Sequence, residues 1–145
     1  MTDPARALIA DDETVVRLDV KAMLESVGLE VCGEAADGEE AVRRALELRP
    51  DVIVLDAAMP RLDGVEAARR ILAVRPVPIV MLTGYDYGDL ISRALDAGVA
   101  AYVVKPFHER ALLEAVATVL RAGHTKGTLA YLERPERLVL GQSGV

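Results

Sequence analysis

Five short apolar runs alternate with five longer stretches of helical periodicity, and this alternation constrains the fold more than any other feature of the sequence. The runs are almost continuously apolar, as strands covered on both faces of a sheet should be. Consecutive parallel strands need right-handed crossovers, which place helices on both faces. The sequence therefore predicts an α/β fold with a doubly wound (βα)5 parallel sheet. The expected strands are residues 7–10, 29–32, 52–55, 78–82 and 101–104.

Glycine, proline and capping residues mark the ends of the expected helices. Apolar residues at positions 16, 20, 23, 24 and 27 share one helical face, and Gly28 follows as a stop. Asp37 and Glu40 have the spacing of a capping box, and Pro50 ends that second helix. The third helix is marked by apolar residues at 68, 71 and 72. We expect the fourth and fifth helices to close at Gly98 and Gly123.

The charge balance and the cysteine count narrow the possible partners and the compartment. The net charge is −6, and an acidic domain repels the nucleic-acid backbone, so we expect no direct binding of DNA or RNA. No apolar run approaches the roughly 18–20 residues of a membrane-spanning helix, and the N-terminus lacks the pattern of a signal peptide. Cys32 is the only cysteine. We therefore expect a cytoplasmic protein without membrane contacts.

Polar residues stand at the carboxyl ends of four of the five expected strands. In a doubly wound sheet the functional site lies just beyond these strand ends, at the point where the strand order reverses. The polar residues should therefore converge on one cleft, and no second cluster at strand ends competes with it. They are Asp11, Asp12 and Glu13 after the first strand, Asp56 after the third, Thr83 and Gly84 after the fourth, and Lys105 and Pro106 after the fifth.

The chemistry of this set points to phosphoryl transfer. Asp11, Asp12 and Asp56 would repel one another, so the site needs a cation to remain ionised. Oxygen ligands in an incomplete shell suit Mg²⁺, or Mn²⁺ in its place. An ionised aspartate can attack phosphorus and form an acyl phosphate. The metal ion, the ammonium of Lys105 and the hydroxyl of Thr83 could then neutralise the phosphoryl oxygens.

Four motifs together resemble the receiver domains of two-component response regulators. They are IADDE at 9–13, LDAAMP at 55–60 followed by Asp63 and Gly64, LTG at 82–84, and VKPF at 104–107. The motifs have the order and spacing of that family, and the resemblance covers about residues 5 to 122. It implies a flavodoxin-like sheet with strand order 2-1-3-4-5.

The resemblance also implies roles for the acidic residues. Asp56 corresponds to the phosphorylated aspartate. Asp12 corresponds to a direct Mg²⁺ ligand, and Asp11 to a residue that helps through a coordinated water. The backbone carbonyl of Ala58 would complete the protein's share of the metal shell, together with Asp56.

A second group of residues corresponds to the family's switch. Lys105 would contact both the phosphoryl group and Asp56, and its bond to Pro106 is typically cis in these proteins. Thr83 corresponds to the switch hydroxyl, and Gly84 to a small residue that leaves room for the phosphoryl group. Tyr102 corresponds to the aromatic ring that turns inward on activation, changing the surface formed by the fourth helix, fifth strand and fifth helix.

The family implies a signalling module that catalyses only its own phosphorylation and dephosphorylation. The phosphoryl donor would be a sensor histidine kinase or a histidine phosphotransfer protein, and the output an unidentified protein target. Ala58 offers no polar side chain to position a hydrolytic water, and Tyr85 could shield the phosphoryl group. We therefore expect a moderately long-lived acyl phosphate.

Other functions fit the sequence less well. Aspartyl-phosphate phosphatases need a second acid two residues after the nucleophile, where this chain has Ala58. Dinucleotide or flavin binding needs a glycine-rich first loop, where this chain has Asp11 and Asp12. The stronger alternative is a receiver-like module that binds partners without phosphorylation, although such proteins generally lose acidic or lysine positions that are present here.

The expected domain organisation is a receiver at 1–122 followed by a tail at 123–145. The receiver resembles those of antitermination regulators, whose RNA-binding domain would need roughly twice the length of the tail. We expect either a receiver that works alone or part of a longer protein. The tail contains apolar residues, among them Leu129 and Leu138. We expect this tail either to be disordered or to pack on the receiver or on a second copy in a homodimer.

Overall fold

The computed structural model describes residues 3–84 and 88–122. Within them, five strands and five helices alternate along the chain, and all strand pairs are parallel in the order β2-β1-β3-β4-β5. The predicted doubly wound sheet and its strand order are confirmed. The elements are β1 (Arg6–Ala10), α1 (Thr14–Ser26), β2 (Glu30–Ala35), α2 (Gly38–Leu48), β3 (Val52–Asp56), α3 (Gly64–Val74), β4 (Ile79–Thr83), α4 (Gly88–Asp96), β5 (Ala101–Val104) and α5 (Glu109–Ala122).

Helices cover both faces of the sheet, and the central strands are apolar at nearly every position, which favours this arrangement. Side chains alternate across a strand, so Ile53 and Leu55 of β3 join the core under α2, α3 and α4. Val52 and Val54 join the core under α1 and α5. Each fully buried aliphatic side chain of this kind stabilises the fold by roughly 1.5–3 kcal/mol. Two apolar layers therefore hold the central strands in place.

The edge strand β2 is where the sequence prediction was least accurate. It runs from Glu30 to Ala35 rather than over 29–32, because Gly33 and Glu34 interrupt the apolar pattern that predicts a strand. The register shifts between Ala7 and Leu8, which pair with Val31 and Gly33. Cys32 is thus the extra residue of a bulge. Strand β2 does lie at a sheet edge, as Glu30 suggested.

Most of the expected helix ends are confirmed. Gly28 and Gly98 have positive φ angles, +91° and +101°, which glycine adopts without strain. Asp37 caps α2 by accepting a hydrogen bond from the Glu40 backbone N–H at 2.8 Å. The Glu40 carboxylate accepts one in return from the Ala36 N–H, also at 2.8 Å. Gly123 lies outside the described residues.

The prediction that Val27 belongs to the apolar face of α1 is wrong. The helix ends at Ser26, so Val27 has left the helical spiral and its exposed fraction is 55%. Val20 and Leu24 are fully buried, as the periodicity predicted. In the described ranges, no helix combines the length and the apolar character needed to cross a membrane.

The loop after β3 folds back tightly onto the strand. The backbone N–H of Gly64 donates to the carbonyl oxygen of Ala57 at 2.9 Å. A Cβ atom on Gly64 would overlap the carbonyl oxygen of Asp56 and the Cα of Ala57. Gly64 therefore lets α3 begin directly beside the end of β3, next to Asp56.

We predict that Gly64→Ala lowers the free energy of unfolding by about 2–4 kcal/mol, because the new methyl group meets backbone atoms that cannot move aside. The measurement is urea unfolding followed by far-UV circular dichroism. The matched control is Gly88→Ala, also at the first residue of a helix, where a Cβ would meet none of the described residues within 4 Å. Equal stabilities for the two variants would contradict the close approach at Gly64.

Candidate functional site

An open cleft of about 640 Å³ lies at the carboxyl ends of the strands, where the predicted polar residues meet. Asp56 and Thr83 end the adjacent strands β3 and β4. Asp11, Asp12 and Lys105 follow directly after β1 and β5. The convergence predicted from the strand ends is therefore present. The cleft is lined by Asp12, Glu13, Asp56, Ala57, Ala58, Asp63, Val65, Thr83, Gly84, Leu90, Arg93 and Lys105.

Asp56 lies at the floor of the cleft with only 6% of its side chain exposed. Its Oδ1 is 3.5 Å from Nζ of Lys105 and accepts a long hydrogen bond, 3.4 Å, from the backbone N–H of Ala58. The carboxylate is thus held from two sides. The side of the cleft that opens to solvent remains available for an incoming group.

The loop after β1 presents two carboxylates in different surroundings. Asp11 is fully buried and Asp12 is exposed. Oδ1 of Asp11 accepts a hydrogen bond from the Glu13 N–H at 2.8 Å, and its Oδ2 lies 3.0 Å from Nζ of Lys105. Asp11 is therefore fixed by two donors, whereas Asp12 faces the cleft and the solvent.

Arg17 of α1 holds this loop from behind. Its Nη1 donates to the backbone carbonyl oxygen of Asp11 at 2.6 Å, and its Nε pairs with Glu34 of β2 at 3.0 Å. The side chain is only 16% exposed, so the contact is shielded from water. Arg17 thereby connects the loop that carries Asp11 and Asp12 to α1 and to the sheet edge.

The ammonium of Lys105 lies between the carboxylates. It contacts Asp11 at 3.0 Å, Asp56 at 3.5 Å and Glu13 at 3.9 Å. Burial alone would lower the pKa of Lys105, but the hydrogen bond to Asp11 and the charge of Asp56 outweigh it and raise the pKa. Lys105 is therefore a fixed positive charge at neutral pH. The Lys105–Pro106 peptide bond is cis, as the resemblance predicted.

The surroundings of Asp56 raise its pKa from 3.8 to about 6. The largest cause is burial, followed by repulsion from Asp11, and Lys105 offsets only part of these effects. Without a further cation, Asp56 is close to its titration range at neutral pH. A further positive charge in the cleft would stabilise the ionised form of Asp56.

The three aspartates fit a divalent metal ion. One carboxylate oxygen from each of Asp11, Asp12 and Asp56 lies within 4.8 Å of the others. Hard oxygen ligands of which only part come from protein are the preference of Mg²⁺, which keeps several waters. The raised pKa of Asp56 supplies an electrostatic reason for a cation at this place. The residues present therefore fit the predicted Mg²⁺ site.

Thr83 and Tyr102 take different positions relative to the cleft. Thr83 is 2% exposed and lines the cleft, and its carbonyl oxygen accepts a hydrogen bond from the Lys105 N–H at 2.7 Å. Tyr102 pairs with Met81 in the sheet and is 5% exposed in the core under α2, α3 and α4. The ring thus already points inward here. Tyr85 lies outside the described residues.

Two arginines at this site were not identified from the sequence. Arg17 sits in α1 among residues with an ordinary amphipathic pattern, and its contact with Asp11 depends on how the helix rotates. Arg93 lies on α4 and lines the cleft, although nothing in its sequence neighbourhood points to the strand ends. The available signal for Arg17 was its spacing, one residue after the apolar position Val16.

Comparison with known proteins shows which family and which relatives this chain is similar to. The family description "Response regulator receiver domain" matches residues 7–117. "Transcriptional regulatory protein PdtaR" of Mycobacterium tuberculosis is 48% identical over 113 residues, which are 78% of this chain and 55% of that protein. The chain thus spans about half the length of the curated relatives it matches.

Solved receiver domains have the same fold. The signal receiver domain of NarL from Mycobacterium tuberculosis has a TM-score of 0.80 at 27% identity, covering 84% of this chain and all of that one (100%). The CheX–CheY–BeF3–Mg²⁺ complex from Borrelia burgdorferi contains a chain with a TM-score of 0.77 at 27% identity, covering 79% of this chain and 88% of that one.

We predict that Asp56→Asn stabilises the fold at pH 8 in the absence of metal. The folded form holds the Asp56 proton more tightly than the unfolded chain, so wild-type stability falls as pH rises from 3.8 to about 6. Two pKa units correspond to a penalty on the order of 3 kcal/mol at higher pH, which an amide does not incur.

The measurement is urea unfolding with EDTA at pH 8 and at pH 4.5, comparing each variant with wild type. The gain from Asp56→Asn should be about 1–3 kcal/mol at pH 8 and should shrink at pH 4.5. Asp96→Asn, at an exposed position at the end of α4, should change little at either pH. An Asp56→Asn variant less stable than wild type at pH 8 would contradict the crowding of carboxylates.

We predict that Asp12→Asn weakens Mg²⁺ binding by at least about ten-fold, because it removes a charged oxygen from the three-aspartate cluster. Isothermal titration calorimetry at pH 8 gives the dissociation constant. Asp96→Asn has the same change of charge away from the cleft and should bind Mg²⁺ as wild type does. Equal affinities for the two variants would remove Asp12 from the metal site.

Proposed function

This chain belongs to the response regulator receiver domain family, and we propose that its Asp56 accepts a phosphoryl group from a phosphohistidine donor in a two-component phosphorelay. The observation that best supports this is the meeting of one buried carboxylate with the ammonium of Lys105 at 3.5 Å and with the carboxylates of Asp11 and Asp12. A nucleophile, a cation and a set of metal ligands thus share one cleft.

In the proposed reaction a carboxylate oxygen of Asp56 attacks the phosphorus atom. The new bond joins phosphorus to that oxygen, while the bond from phosphorus to the donor's imidazole nitrogen breaks. The leaving imidazole keeps the electron pair and takes up a proton. Because the pKa of Asp56 is about 6, the carboxylate is mostly ionised at pH 7.5 and able to attack.

Charge neutralisation is the main contribution we assign to the protein, since phosphoryl transfer needs little else besides positioning. Asp12 and Asp56, with the carbonyl oxygen of Ala58, would hold Mg²⁺ directly, and Asp11 would act through a coordinated water. The bound ion would supply positive charge for the phosphoryl oxygens. The related Borrelia burgdorferi complex contains BeF3 and Mg²⁺, which supports this assignment. Lys105 and the hydroxyl of Thr83 would contact the remaining oxygens.

We propose that phosphorylation signals through the surface of α4, β5 and α5. The phosphoryl group adds roughly −1.5 to −2 charges at Asp56 and would draw Thr83 and Lys105 toward it. Tyr102 is already buried in this structure, so phosphorylation would raise the population of this inward position. Reversing a population from 1:99 to 99:1 needs about 5.5 kcal/mol of differential stabilisation, a range that several charge-assisted hydrogen bonds can reach.

Partners, compartment and output are part of the same proposal. The donor would be a sensor histidine kinase or a histidine phosphotransfer protein in the cytoplasm, and the target another protein. The chain would catalyse only its own phosphorylation and dephosphorylation. The similarity to the transcriptional regulatory protein PdtaR makes transcriptional regulation a candidate output of the pathway. A role for residues 123–145, including a homodimer contact, lies outside the described residues and stays a prediction.

We predict that acetyl phosphate with Mg²⁺ adds one phosphoryl group to the wild-type chain, detected by intact mass. The bond from phosphorus to acetate breaks, acetate leaves with the electron pair, and an acyl phosphate forms on Asp56. Asp56→Asn should gain no label, and neither should wild type in EDTA. After removal of the donor, the label should persist for minutes, because Ala58 cannot orient a hydrolytic water through its side chain.

Two results would contradict this assignment. Label that survives in Asp56→Asn would place the acceptor elsewhere. A folded wild-type chain that binds Mg²⁺ but gains no label, either from acetyl phosphate or from a histidine kinase, would favour a module that binds its partners without phosphorylation.

A further inference from the structure

Arg93 of α4 lines the cleft. Helix α4 follows β4, and β3 separates β4 from β1 and from the loop that carries Asp11 and Asp12. The rotation of the helix is fixed by Ile91 and Ala94, which are buried in the core. Leu90 and Arg93 lie three residues apart and therefore share a helix face, and both line the cleft. The position of Arg93 thus follows from the packing of α4.

The side chain of Arg93 is exposed and available. Asp89 and Asp96 lie one helical turn away on the same helix, yet neither forms an ion pair with it. In residues 3–84 and 88–122, its guanidinium has no hydrogen bond or ion pair. By contrast, the ammonium of Lys105 is already shared among three carboxylates. Among the described residues that line the cleft, Arg93 is therefore the basic residue that forms no ion pair.

The cleft has more acidic than basic side chains, so an anionic ligand would be stabilised by a further cation. Of the described residues that line it, four are acidic and two are basic. Lys105 and a divalent cation together only balance the carboxylates of Asp11, Asp12 and Asp56, and Glu13 adds a further negative charge nearby. A dianionic phosphoryl group entering this cleft would meet no net attraction from these groups alone.

We propose that Arg93 binds the incoming phosphoryl group of the donor and draws it toward Asp56. This rests on the proposed function, in which Asp56 is the acceptor. The planar guanidinium presents paired N–H donors that match phosphate oxygens. Because Arg93 is exposed and lines the cleft, it can contact the donor without competing with Lys105 for Asp56. Arg93 is a donor-binding residue in this scheme, and Asp56 alone forms the bond to phosphorus.

The first test measures the initial rate of phosphorylation against acetyl phosphate concentration, by intact mass with saturating Mg²⁺. Arg93→Ala should lower the second-order rate constant about 3–10-fold, the range expected for losing one cation near a dianion in a partly screened cleft. Added salt should slow wild type more steeply than Arg93→Ala. Arg93→Lys should keep most of the rate, and Arg121→Ala, an exposed arginine on α5, should match wild type.

The second test does not depend on phosphorylation. Inorganic phosphate is titrated into the Mg²⁺-loaded protein, and its dissociation constant is read from amide chemical shifts in the cleft. Arg93→Ala should raise that constant about 3–10-fold, with unchanged Mg²⁺ affinity and thermal stability. If wild type cannot be phosphorylated, the proposed function fails, but this titration still decides the role of Arg93.

Two outcomes would overturn the inference. One is an Arg93→Ala variant with the phosphate affinity of wild type. The other is an equal loss in Arg93→Ala and Arg93→Lys, which would assign the effect to helix packing rather than to charge.

Discussion

The contact of the Lys105 ammonium with Asp11 and Asp56 is the interaction on which the site depends. Parallel strands in this order bring the ends of β1 and β3 side by side, so two carboxylates are forced into one buried place. Their burial and their repulsion raise the pKa of Asp56 to about 6. Lys105, in the loop that follows the edge strand β5, lowers the pKa of Asp56 and so offsets part of this effect. The same fold thus brings the carboxylates together and places a cation that partly neutralises them.

An incomplete balance of charge makes this cleft compatible with the phosphoryl transfer that we propose for it. A fully neutralised site would have no use for a metal ion, and an unpaired cluster of aspartates would protonate or separate. Here Asp11 is fixed by Glu13 and Lys105, whereas Asp12 faces solvent. The arrangement has room for a divalent cation and for a charged ligand at the same time. Arg17 holds the backbone of the loop through the carbonyl oxygen of Asp11.

The sequence was most informative where local pattern and tertiary structure share one cause. Strands β3 and β4 are apolar and are buried at every position, so the burial agrees with the sequence pattern. The ends of these strands then predicted the positions of Asp56 and Thr83. Strand β2 was harder, since Gly33 and Glu34 reflect an edge strand with a bulge. The prediction for Val27 was wrong because the apolar spacing continues past Ser26, the last residue of α1.

What the sequence could not predict depends on contacts between distant elements. The link from Arg17 to the Asp11 carbonyl requires the rotation of α1, and the place of Arg93 requires the packing of α4 on the core. The burial of Tyr102 depends on how α2, α3 and α4 pack on this face of the sheet. The shielding role expected of Tyr85 concerns a residue outside the described ranges and stays a prediction. Side-chain orientation, rather than residue type, separates these features from the predicted ones.

The most direct measurement locates the phosphoryl group itself. The chain is phosphorylated with Mg²⁺ present, the acyl phosphate is reduced with borohydride, and peptides are sequenced by mass spectrometry. Reduction converts a phosphorylated aspartate to homoserine, so we expect homoserine at position 56 and unmodified aspartates at positions 11 and 12. Homoserine at position 11 or 12, with aspartate intact at position 56, would contradict the assignment of Asp56 as the acceptor.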